Sequence, residues 1–187
     1  MNRVFVLSPA NCNGVRADWL LRKNSSLELA KRLHKLGVPL SEVFTFLSSL
    51  YFRGKLAYAQ TFARPPADCP GIFIITPTIG LVPHDRLIRM STLRGFSRVA
   101  IDVKSRLYCS ALRGSAKQRG EIGTECEVVL LGSVATGKYL KLLNPILGRQ
   151  LRFPAEFIGR GDMSRGGLML RCVKDHRELD YIDAHLS

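Results

Sequence analysis

The apolar positions of this chain fall into three short unbroken runs, separated by longer stretches with helical spacing. The runs are Val4 to Leu7, Gly71 to Thr76 ("GIFIIT") and Glu127 to Leu131. Unbroken apolar residues, as opposed to alternating ones, mark strands covered on both faces. Between the first two, Leu27 to Leu36 ("LELAKRLHKL") has helical spacing and is closed by Gly37. Pro39 and Ser41 signal another helix start, with Ser41 as its N-cap. The dense apolar segment from there to Ala63 predicts a buried helix, with Gly54 placed to kink or split it. Ser91 to Ile122 reads as one or two helices with basic faces, and Tyr139 to Leu147 as a helix that stops at Gly148. "LRF" reads as a short strand, while "LMLRCV" fits helix or strand. Asp162 is a good N-cap for a helix over 163–174, against which the pair Gly166–Gly167 counts.

This order of strand, helices, strand, helices, strand, helix predicts an α/β fold. It is a single-domain sandwich over residues 1–187, with a mostly parallel central sheet and flanking helices. Such sheets bind ligands outside the carboxyl ends of their strands. Three polar, glycine-bearing loops leave those ends: "SPANCNG", "TPTIGLVP" and "GSVATGK".

Composition narrows the partners. Apolar residues make up 46% and charged residues 23%, ordinary values for a globular chain, and the longest apolar runs are too short to span a membrane. "MNRVFVLSP" reads as a first strand, not a leader. Lysine and arginine total 28 against 15 acidic residues, a net charge of +13. That excess favours an anionic partner: nucleic acid, with DNA favoured, or a nucleotide. The five cysteines are odd in number and form no C-x-x-C pair, which argues against a disulfide framework and a zinc site and for a reduced, cytoplasmic setting. His34, His84, His176 and His185 have no metal-ligand spacing, so no metal or cofactor is expected.

Four segments carry candidate chemistry. Gly132, Gly137 and Lys138 fit G-x-x-x-x-G-K, the core of a phosphate-cradling loop, between a strand and a helix. Tyr139 stands where such a loop needs Ser or Thr to hold magnesium, and no later strand ends in an acidic metal partner, which argues against triphosphate hydrolysis. What remains is an anion site at a helix N-terminus, with Gly132, Ser133, Gly137, Lys138 and Tyr139 as candidates. In "SPANCNG", Ser8, Asn11 and Asn13 suit a binding loop. Cys12 could be a thiol nucleophile, and Asn11 with Asn13 could equally form an Asx-turn. In "LYFRGKLAYAQ", helical spacing puts Tyr51, Lys55 and Tyr58 on one face, a set that could stack a base and hold a phosphate or belong to a core helix. In "FIGRGDMSRGG", Arg160, Ser164 and Arg165 offer donors to phosphate or a base edge, and Asp162 is a candidate acid/base. His84 reads as a loop residue that could approach the strand ends.

Three of these segments, in order, resemble the YaaA-type peroxide-stress family and related uncharacterised bacterial domains. "LSPAN" is similar to that family's opening Ser-Pro-Ala-Lys, with Asn11 in place of the lysine. "GLVPHDRLI" is similar to its Gly-Leu-x-x-Pro-x-Asp stretch, one residue shorter, and Met163, Ser164 and Arg165 match its Met-Ser-Arg. The resemblance implies an α/β core with a glycosylase-like character, DNA binding and an intracellular setting. The resulting expectation is a basic cleft at the strand ends that contacts phosphate and base and acts on a nucleobase or N-glycosidic bond. There, Lys138, Lys55, Arg160 and Arg165 would hold phosphate, Asn11 and Asn13 would read a base edge, and Asp162 and Lys138 are the catalytic candidates. The alternatives are an enzyme on a free nucleotide or phosphorylated metabolite and a non-catalytic DNA-binding module.

Overall fold

The computed structural model describes residues 1–119 and 125–184. Strand β1 (Asn2–Leu7) is fully buried from Val4 on. Its side chains alternate between two cores: Phe5 and Leu7 enter one, Val4 and Val6 the other. This two-sided burial is why the run is apolar without alternation. The chain then forms α1 (Val15–Leu21), α2 (Glu28–Lys35), a short β2 (Val38–Pro39), α3 (Leu40–Ser48) and α4 (Leu50–Phe62) before β3 (Ile72–Thr76), all five of whose residues are buried. A tight hairpin leads to β4 (Gly80–Pro83), then β5 (Leu87–Ile88), α5 (Met90–Ser97) and α6 (Arg106–Arg119). The last third contains β6 (Cys126–Leu131), α7 (Leu140–Leu147), β7 (Leu151–Pro154), α8 (Asp162–Lys174) and β8 (Tyr181–Asp183).

The main sheet runs β4-β3-β1-β6-β7-β8. The inner strands β3, β1, β6 and β7 are parallel, and the edge strands β4 and β8 are antiparallel to their neighbours. Helices α1 to α5 and α8 contribute to the core on one face, α6 and α7 to that on the other. This is the expected α/β fold with a mostly parallel sheet flanked by helices. Strand β1 is followed by β3 on one side, whereas the chain enters β6 on its other side and continues outward. The loops leaving β1 and β6 therefore diverge, which opens a crevice over adjacent strand ends, the usual ligand position in such sheets. Leu7 pairs with Leu131, and the Ser8 amide donates to the Leu131 carbonyl at 3.0 Å, so the two ends are flush.

Several local expectations are corrected. Ser41 is not the N-cap of α3; Pro39 holds that position and Ser41 is buried inside the helix. The segment to Ala63 does divide, but at Ser49, whose φ is +48°, not at Gly54. Gly54 lies within α4, where a Cβ would sit 2.7 Å from the Gly166 carbonyl oxygen of α8. Gly166 is constrained from the other side: a Cβ there would sit 3.0 Å from the Tyr51 Cα. These two glycines let two helix backbones touch, and the packing outweighs their poor helix propensity. The pair that counted against helix at 163–174 thus belongs to one. Asp162 is its first residue, with Gly161 as N-cap and no side-chain cap bond. The expected loop "PTIGLVPHDRLI" contains β4 and β5. Gly80, at φ +77°, starts β4 where a Cβ would strike the Ala111 carbonyl at 2.2 Å. Ser91 to Ile122 holds two helices, its final residues lying outside the described residues, as does His185.

Among the described residues, no helix is long and apolar enough to cross a membrane, and no group of three His, Cys, Asp or Glu side chains is placed to hold a metal ion.

Candidate functional site

A cleft of about 400 Å³ lies over the ends of β1 and β6. The loop after β1 supplies Ser8, Asn11, Cys12 and Asn13, and the loop after β6 supplies Ser133 and Lys138. Helix α4 adds Tyr51, the start of α7 adds Tyr139, and α8 presents Asp162. Four of the sequence segments therefore meet at one place. Gly132 makes the junction between the first two: a Cβ there would lie 2.9 Å from the Ser8 Cβ.

Behind Ser8 stands Lys55. It is 0% exposed, and its Nζ donates to the Ser8 carbonyl (2.6 Å) and to Ser8 Oγ (2.8 Å). The rings of Tyr51 and Phe52 lie 4.3 and 4.9 Å from the same nitrogen. Burial removes the ammonium's hydration and pushes its pKa down to about 7, with the negative field of Asp162 opposing the shift. Lys55 therefore sits under the cleft floor as a partner of Ser8, not as an exposed phosphate contact.

Two phenols flank Ser8. Burial raises the Tyr51 pKa to about 12, helped by Asp162 and resisted by Arg165 and Ser8. Although Ser8 and Arg165 are near enough to act on it, the buried Tyr51 hydroxyl completes no well-formed hydrogen bond. Burial also raises the Tyr139 phenol, with Tyr51 and Asp162 adding to the effect and Ser8 opposing it. Both rings therefore present protonated hydroxyls, which donate. Tyr58, expected on the same face as Tyr51 and Lys55, is also buried but deeper. Its hydroxyl lies 2.7 Å from that of Tyr181 and accepts the Leu179 amide.

Asp162 is about two-thirds exposed and pairs with Arg165 Nη1 at 3.2 Å. Arg165 itself is 5% exposed and spends Nε and Nη2 on the Phe157 carbonyl. Its guanidinium is a brace for the head of α8, with little left for a phosphate. Arg160 and Ser164 bond to each other at the surface (3.2 Å) and lie outside the cleft wall. Gly137, at φ +62°, lines a neighbouring hollow with Arg165.

The loop after β1 holds its own shape. Asn11 Oδ1 accepts the Asn13 amide at 2.9 Å, an Asx-turn. With its amide nitrogen turned toward α5, Asn13 also donates to the carbonyls of Ser97 and Cys12. Cys12 is 4% exposed, and burial alone pushes its thiol up to about 12, so it carries no thiolate near neutral pH. His84 is on the opposite edge, where its amide bonds to the carbonyl of Ile72 at the start of β3.

The charged side chains on the cleft wall are Lys138 and Asp162, one of each sign, so the expected basic cleft is replaced by a balanced polar one. The lysine hangs over the Tyr139 ring at 5.6 Å, and its carbonyl accepts the Tyr108 hydroxyl of α6 at 3.1 Å, which ties the loop to the far core. Pro77, from the expected strand-end loop "TPTIGLVP", also lines the wall, and sequence reasoning missed Ser48, Phe96, Val99 and Ile101, which complete it. None of these four belongs to a motif; they reach the cleft only through the way α3 and α5 pack. Comparison of the chain with protein-family models, with characterised proteins and with solved structures yields no match to any of the three.

Proposed function

We propose that the chain binds one nucleotide unit of a nucleic acid in the cleft over β1 and β6 and processes it there. The observation that carries this reading is the meeting of Ser8 to Asn13, Ser133, Lys138, Tyr51 and Asp162 around a single cleft at the topological switch point. Lys138 supplies the cation for a phosphate, the polar loop after β1 faces a base or sugar, and the tyrosine hydroxyls donate toward the floor. The net charge of +13 supports a polyanion as the carrier of that unit. Asp162 is the carboxylate on the wall and the group that would activate water at an N-glycosidic bond.

A free nucleotide or phosphorylated metabolite is the second reading. It is favoured by the balanced charge of the cleft wall, which offers one lysine and not a track of cations. Salt separates the two. Binding of a labelled single-stranded oligonucleotide, followed by anisotropy, is expected to weaken with log[salt] at a slope of roughly −0.7 per phosphate contacted. No binding at low salt overturns the nucleic-acid reading. Saturable binding of a mononucleotide, with no gain on lengthening the strand, moves the assignment to the second.

A further inference from the structure

Lys55 is unusual among buried lysines. Such a charge is normally paired with a carboxylate. Here the atoms it touches are neutral: the Ser8 carbonyl, Ser8 Oγ and two aromatic rings. The nearby carboxylate of Asp162 is bonded to Arg165 instead. The ammonium donates to the Ser8 carbonyl at 2.6 Å and to Ser8 Oγ at 2.8 Å, with both rings at cation–π distance. Once deprotonated, the amine keeps an N–H on the Ser8 carbonyl and turns its lone pair to Ser8 Oγ, where it takes the hydroxyl proton. Ser8 lines the cleft although it is only 4% exposed, and its Oγ is held from behind by Lys55. The Tyr51 hydroxyl, buried beside it without a well-formed hydrogen bond, is a protonated donor that can turn to a ligand oxygen.

Building on the nucleotide reading of the cleft, we propose that Ser8 and Lys55 are a nucleophile–base pair that opens a phosphate ester through a phosphoseryl intermediate. Ser8 Oγ bonds to phosphorus as Lys55 Nζ takes its proton, and the ester P–O bond breaks. The departing oxygen, in line and on the far side of phosphorus, takes a proton from cleft water, and the resulting hydroxide attacks the phosphoseryl phosphorus from that same side. The Oγ–P bond breaks, the Lys55 ammonium returns its proton to Ser8 Oγ, and phosphate or a phosphomonoester leaves. Lys138 and the Tyr51 hydroxyl stabilise the negative oxygens on phosphorus.

The groups that face Lys55 set its behaviour with pH: Ser8 after β1, Tyr51 on its own helix, Tyr139 at the head of α7, and Asp162 with Arg165 on α8. The tyrosines, raised by burial, stay protonated through pH 9, whereas burial lowers Lys55 to about 7, so Lys55 is the member whose shift falls near neutral pH.

The test is covalent labelling of the folded, full chain with an alkyl fluorophosphonate, followed by intact mass and peptide mapping. One adduct on Ser8 is expected, with fluoride released. Its rate is expected to climb about tenfold per pH unit below pH ~7 and to level off above, following the neutral amine. Ser8→Ala abolishes the adduct, and Lys55→Met slows it at least about a hundredfold, the usual scale of a lost general base. Should Lys55→Met fail to fold, the wild-type pH profile decides alone. No adduct at pH 8, an adduct elsewhere, or a rate that keeps rising with hydroxide through pH 9 overturns the pair. Oligonucleotide binding by Ser8→Ala is measured separately. Binding without wild-type labelling removes the nucleophile and keeps the cleft; labelling without binding keeps the nucleophile and removes the nucleotide.

Discussion

At the scale of single residues, Lys55 carries the burial shift that falls nearest neutral pH. Its folded pKa, about 7, lies below the ordinary 10.5, so between those values the unfolded chain binds more protons than the folded one. Stability therefore rises with pH in that window, and the whole cost of burying the charge is felt below pH 7. Cys12 and Tyr51 act in the opposite sense: raised by burial, they stay protonated in the fold above pH 9 to 10 while the unfolded chain loses those protons. The clean interval is pH 7 to 9. There, urea unfolding should show Lys55→Met losing a stabilising slope of up to about 1.4 kcal/mol per pH unit relative to the parent. Equal slopes in the two proteins would mean that Lys55 titrates normally. The identity of this residue as a candidate was readable from "LYFRGKLAYAQ", because helical spacing places Tyr51 and Lys55 together. Its partner was not. Ser8 is 47 positions away, and only the landing of α4 against the end of β1 brings them to 2.8 Å.

Among the elements, the crossing of α4 and α8 sets the cleft geometry. Gly54 and Gly166 allow the contact, and α8 then carries Asp162 and Arg165 to the cleft edge. Gly54→Ala would push a methyl group to 2.7 Å from a backbone oxygen that no rotamer can move. The expected loss is about 1–3 kcal/mol in chemical denaturation, with weaker ligand binding as α8 shifts. Unchanged stability would contradict the close crossing. The strands were the most legible elements, since burial on both faces writes an unbroken apolar run. The misread ones show what the local pattern lacks. Ser41 has cap chemistry but is two positions too late, because Pro39 already holds the cap. Gly166 and Gly167 argue against helix locally, and only a partner helix explains them. Strands β4, β5 and β8 are four residues or fewer; β4 is made by a hairpin with β3, and the pairing that makes β5 and β8 strands comes from distant segments.

For the whole molecule, topology and charge point to different features. The sheet order places two divergent loops over β1 and β6, which fixes where the cleft lies, and the helices around it supply its walls. The surplus of positive charge is distributed beyond it, since the wall carries one lysine and one aspartate. A polyanion held by the outer surface and a single unit held in the cleft would satisfy both. Lys138→Ala then removes one contact: oligonucleotide affinity should fall several-fold and the salt slope should flatten by about 0.7, with stability nearly unchanged. Full binding by that variant would take the loop after β6 out of the site.

The central claim is that the cleft over β1 and β6 is where the ligand sits, and an NMR titration with a short single-stranded oligonucleotide tests it most directly. The predicted result is that amide shifts concentrate at Ser8 to Asn13, Ser133 to Tyr139, Tyr51 and the head of α8 near Asp162, and saturate together. Shifts confined to other faces, or none at low salt, would contradict it.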